Sequence, residues 1–159
     1  MGALRRLHAL AQGVRLGQGG RAGLSVLDAL TEMLEAAGLH ADAAHLCWTV
    51  ALGAVARGRP DEHRWDRLVR VCEAGPGRLP SAYDMPVNLN RAHARAAALA
   101  VARSLRVRGT PVSGLLAVAL VRAGGLATAW EAHWRQELDA LRGHCDPDTA
   151  MEALFVDTG

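Results

Sequence analysis

The chain has 159 residues, half of them apolar, and a formal charge of +2. That length suits one domain able to bury roughly 70% of its extended-chain surface, and so mild a charge excludes a general polyanion binder, so any anion site must come from local clustering. Only one Tyr, one Phe and four Trp are present, so alanine and leucine must build the core, which favours packed helices over sheet.

In chain order, Leu4, Leu7, Leu10, Ala11 and Val14 recur at helical spacing and predict an amphipathic helix near 3–16. The run Gly17-Gln18-Gly19-Gly20 breaks it. Ser25 stands as an N-cap with Asp28 three residues on, a capping-box variant. Leu27, Leu30, Leu34 and Ala37 then stripe a second helix, and Gly38 suits a left-handed C′ position. A third helix near 42–57 is apolar on most sides. Only Asp42, His45, Thr49 and Gly53 mark a polar or small stripe, so it should be central.

Pro60 opens a fourth helix, with Asp61 and Glu62 placed against its N-terminal dipole. Its core face is Trp65, Leu68, Val69 and Cys72, and Gly75 ends it. The longest irregular stretch, Gly75 to Leu89, holds Pro76, Pro80, Pro86 and Tyr83. It reads as a crossover between two helical halves, 1–75 and 88–159, joined by a Pro-rich loop 76–87. A helix near 88–108 follows. Thr110-Pro111 is a cap-plus-N1 start for an apolar helix expected to end at Gly124-Gly125. Leu126, Trp130, Trp134, Leu138 and Leu141 stripe the next helix. Asp146-Pro147 starts a last one whose apolar residues are Met151, Leu154 and Phe155. Trp65, Trp130 and Trp134 are expected to be buried anchors. With no strand or hairpin pattern, the fold class is all-α: a single-domain helical bundle, or a short stack of helical hairpins, of about eight helices. In outline such a stack resembles tetratricopeptide-like solenoids, whose repeat residues this chain lacks. A faint echo at an offset of about 88 residues, such as Ala44-His45 against Ala132-His133, is either of the kind chance supplies in an Ala- and Leu-rich chain or the trace of an internal duplication.

All 18 positive side chains are arginine, which together with the abundant Ala, Gly and Leu points to a GC-rich, bacterial-like genome. Their placement is more informative. From Met85 to Trp130 there is no Asp or Glu, yet six arginines occur there. Arg91, Arg95, Arg103 and Arg106 fall within about 120° of one another on the helix near 88–108. Guanidinium forks suit carboxylate or phosphate, and like charges at i and i+4 repel unless neutralised. The partner is an acid elsewhere in the fold, such as Asp61, Glu62, Asp66 or a late acid, or an external anion, unless the face is simply solvated. These four residues are the candidate binding site.

Other chemistry is sparse. His133 with Glu137, His63 with Asp66, and His40, Asp42, His45 and Cys47 invite a metal reading, but neither HExxH nor repeated Glu-x-x-His appears. No catalytic residue, metal ligand or cofactor is assigned. Cys47, Cys72 and Cys145 are odd in number and scattered, which suits a reducing, cytoplasmic setting. The longest apolar run, Val112 to Val121, falls short of the ~20 residues of a membrane span. A helix-turn-helix over 111–138 is disfavoured by Glu131, Glu137 and Asp139 on its second helix. The leading expectation is a non-catalytic binding or adaptor module presenting its arginine face to an acidic protein partner, or self-associating. Alternatives are a small nucleic-acid-associated subunit and a His/carboxylate metal-dependent enzyme or sensor.

Overall fold

The computed structural model describes residues 21–75 and 89–159. Among them it is all-α, with seven helices: α1 Arg21–Ala36, α2 His40–Ala56, α3 Glu62–Ala74, α4 Ala92–Val107, α5 Pro111–Ala127, α6 Ala132–Arg142 and α7 Pro147–Leu154. The helix expected near 3–16 and most of the Pro-rich crossover lie outside the described residues. No described helix is long and apolar enough to cross a membrane.

Local chemistry sets most of the boundaries. Gly38 takes a left-handed φ of 72°, and the Leu39 N–H reaches back to the Leu34 carbonyl at 2.8 Å, closing α1 as a Schellman-type end. Thr110 caps α5 by accepting from the Ser113 N–H at 3.3 Å, and Asp146 caps α7 by accepting from the Thr149 N–H at 2.8 Å. In both, proline fills the first turn, where no N–H is needed. At the other end of α7, Arg142 of α6 donates to the Ala153 and Val156 carbonyls, each at 3.4 Å.

Three boundaries differ from expectation. α1 begins at Arg21, so Ser25 lies inside the helix rather than at its N-cap position. Asp61 precedes α3 in a left-handed conformation, φ 36°, with no capping hydrogen bond; its carboxylate is turned to Arg64 Nε at 2.8 Å instead. Gly124 and Gly125 do not end α5, which runs on to Ala127. Both glycines are buried, and a Cβ at either would run into an indole, Trp134 for Gly124 and Trp130 for Gly125. The chain then turns through Ala129 and Trp130, both at positive φ, so α6 starts two residues after Trp130. Successive left-handed non-glycine residues are strained. The seating of Trp130 against Gly125, and the Trp130 N–H on the Gly125 carbonyl at 2.7 Å, hold them.

One cluster of buried side chains draws on all seven helices. α2 is central, packing on α1, α3 and α4. Its Trp48, fully buried, meets Trp65 of α3 edge-to-face with ring centroids 5.6 Å apart. α4 lays Ala94, Ala97, Ala98, Val101, Ala102 and Leu105 towards the core and packs on α5, α2 and α6. α5 packs on α6, α7 and α3. Trp65, Trp130 and Trp134 are buried, at 1%, 6% and 0% exposure. On α7 the expected apolar residues are the outward ones: Met151, Leu154 and Phe155 are exposed, while Thr149 and Ala153 face the core.

Candidate functional site

The four candidate arginines sit along the flank of α4, between its buried alanine stripe and an outer face of Ala92, Ala96, Ala100 and Val107, all exposed. Their surroundings divide them into two pairs. At the C-terminal end, Arg103 and Arg106 both reach Glu137 of α6. Arg106 Nε lies 2.5 Å from Oε1, and Arg103 Nε lies 3.3 Å from Oε2. Glu137 is nearly buried, at 5% side-chain exposure, whereas Arg106 and Arg103 keep 30% and 51%. The carboxylate is thus inside and its cations form the boundary with water.

At the N-terminal end no acid among the described residues pairs with Arg91 or Arg95. Arg91 is the extended residue preceding α4 and is exposed. Arg95 folds its guanidinium back on the backbone and donates to the carbonyls of Leu89 and Asn90 at 3.1 and 2.8 Å. Those bonds use carbonyl dipoles, and no carboxylate among the described residues serves as its counter-ion. Among the described residues, this flank thus carries four guanidiniums and one carboxylate, which pairs with two of them.

The other acids considered as internal partners go elsewhere. Asp66 pairs with Arg108 beyond the end of α4, and Asp61 with Arg64. Arg67 of α3 ties α1 down through Asp28 at 3.2 Å and Glu32 at 3.7 Å. Asp28, Asp61, Arg64 and Arg67 rim a cavity of about 60 Å³ between α1, α2 and α3, floored by Thr31, Cys47 and Val50. It has room for a few waters. Burial pushes the Cys47 thiol up, and Cys72 is pushed up to about 12 by the same cause. Neither is a thiolate nucleophile at neutral pH, and the cavity's arginines already have carboxylates.

The histidine pairings do not assemble a centre. Glu137, proposed beside His133, is held by the two arginines, and His133 faces Glu131 at 3.7 Å. Among the described residues no group of three His, Cys, Asp or Glu side chains could hold a metal ion. His144 has a structural post: Nδ1 accepts the Asp146 N–H at 3.1 Å, so Nε2–H is the donor to the Arg106 carbonyl at 3.2 Å.

No protein-family model, no curated protein and no solved structure matches this chain.

Proposed function

We propose that this chain is a non-catalytic helical binding module whose α4 flank takes an acidic protein partner. One observation carries the reading: among the described residues, four guanidiniums line a single helix flank with one carboxylate, and the pair at Arg91 and Arg95 has no acid. Arg106 and Glu137 form the anchored end of the surface. Arg91, Arg95 and the half-exposed Arg103 supply the forks for carboxylates. The neighbouring outer face is built of alanines, so a partner helix could approach α4 closely without displacing bulky side chains. The unpaired thiols suit a reducing, cytoplasmic setting.

The test is binding to an acidic probe, a fluorescent poly-glutamate peptide, with the full chain and with Arg91→Gln/Arg95→Gln. The native protein should bind, with affinity falling as salt is raised. The double variant should lose most of that binding at an unchanged melting temperature. Equal binding by both proteins would refute the assignment. Tighter binding to duplex nucleic acid than to the acidic peptide, with a steep salt slope, would replace the protein partner with a phosphate one.

A further inference from the structure

Two exposed surfaces of the chain complement each other. On α7, Thr149 and Ala153 face the core, and at about 100° per residue Met151 stands opposite them with Leu154 and Phe155 to either side. These three are 55%, 61% and 76% exposed, and Phe155 is the chain's one phenylalanine. Apolar side chains grouped in this way mark a contact surface. Asp148 borders the stripe on its Phe155 side and Asp157 follows the helix end; both are exposed, and neither pairs with a cation among the described residues. α4 presents the converse. Its outer face carries exposed Ala92, Ala96 and Ala100, and the edge beside them carries Arg91 and Arg95, which meet no acid among the described residues.

Resting on the binding role proposed for the α4 flank, we infer that its acidic partner is a second copy of this chain, whose α7 stripe lies on the alanine face of α4 with Asp148 against Arg91 and Arg95. The fit is steric and electrostatic together. Met151, Leu154 and Phe155 need a face without side chains of their own size, and alanines four residues apart provide one. Carboxylates without cations then meet guanidiniums without carboxylates, which fixes the register of the two helices. The same edges set the direction. Viewed down each helix from its N-terminus, the arginines lie counter-clockwise of the alanine face, and Asp148 lies clockwise of Met151. Helices packed face to face bring two such edges to one side only when they run parallel, so α7 of one copy runs parallel to α4 of the other. Pairing α7 with its own counterpart fits less well, because it would leave Asp148 with no cation.

Sedimentation of the full chain should show its mass rising above the monomer with concentration, in the roughly micromolar range of a small interface. Leu154→Ser/Phe155→Ser and Arg91→Gln/Arg95→Gln should each stay monomeric over that range. All four side chains lie outside the core, so melting temperatures should match the native protein. Each variant keeps the surface that the other lacks, and mixing the two should restore a heterodimer. A native chain that stays monomeric, or variants that fail to complement each other, would overturn the assignment. An arginine variant that still associates would overturn it too, by pairing the α7 stripe with its own copy. Poly-glutamate separates this outcome from failure of the binding role itself. A monomeric native chain that binds the peptide through Arg91 and Arg95 would remove the second copy and leave the acidic-partner role standing.

Discussion

Glu137 is the residue on which the meaning of the arginine block turns. Burying a carboxylate is costly unless cations and hydrogen bonds surround it, and here Arg103 and Arg106 do so from one side of α4. The two halves of the block should therefore respond differently to the same change. Arg103→Gln/Arg106→Gln strands Glu137 and should cost about 3 kcal/mol. Arg91→Gln/Arg95→Gln removes like charges and two carbonyl contacts and should stay within about 0.5 kcal/mol of the native protein. Urea unfolding of the two double variants compares them directly; equal losses would contradict the division. Asp146 offers a second residue-scale test. The Thr149 hydroxyl and then the Thr149 N–H, at 2.7 and 2.8 Å, hold its carboxyl below the usual carboxylate range. A carboxylate depressed in the fold stabilises it above the unfolded-state pKa, and that contribution disappears as pH falls through the folded value. The stability gap between the native protein and Asp146→Ala should thus be constant above about pH 5 and close below about pH 4. A gap that does not change over that range would show that the cap works without its charge.

Among the elements, glycine has opposite meanings on two helices. Gly124 and Gly125 give up backbone stability so that Trp134 and Trp130 can lie against α5. Alanine is the better helix former by about 1 kcal/mol, yet Gly124→Ala should destabilise by about 1–3 kcal/mol through overpacking. Gly53 of α2 would place a new Cβ no closer than 3.6 Å from the Arg57 side chain. Gly53→Ala should therefore stabilise by about 0.5–1 kcal/mol, and melting temperatures moving the same way would refute this account. The contrast also marks what the sequence could convey. Thr110-Pro111, Asp146-Pro147 and Gly38 were legible because capping is settled within a few residues. The Gly124-Gly125 pair reads as a terminus in the sequence because the cause of its glycines is an indole on another segment. Trp48 does not stand out in the sequence because α2 is apolar nearly all round and offers no stripe to single it out. For the site, the one-sided arginines were plain in the sequence. Their division into answered and unanswered pairs was not, since Glu137 lies 31 and 34 residues away from its partners on a face that reads as ordinary mixed charge.

At the scale of the molecule, the residues before and after the Pro-rich crossover meet through α2 on α4 and α3 on α5, and Asp66 of α3 pairs with Arg108 at the end of α4. The buried cluster runs from Leu34 to Val156 without dividing at the crossover. Chains whose core is shared in this way unfold as a unit, so damage on either side should be felt on both. Trp48→Ala before the crossover should cost about 3–5 kcal/mol and Leu120→Ala after it about 2–5 kcal/mol. Each loss lowers the melting temperature by roughly 2–4 °C per kcal/mol for a domain of this size. Both variants should keep one transition, with ellipticity and tryptophan fluorescence superimposing. The fluorescence is a sensitive reporter here because Trp48 and Trp65 lie before the crossover and Trp130 and Trp134 after it, all four buried. If Leu120→Ala instead split the melt, with Trp48 and Trp65 remaining buried while Trp130 and Trp134 became exposed, the two halves would be separate folding units, and contacts of α2 with α4 and α3 with α5 would be docking between them.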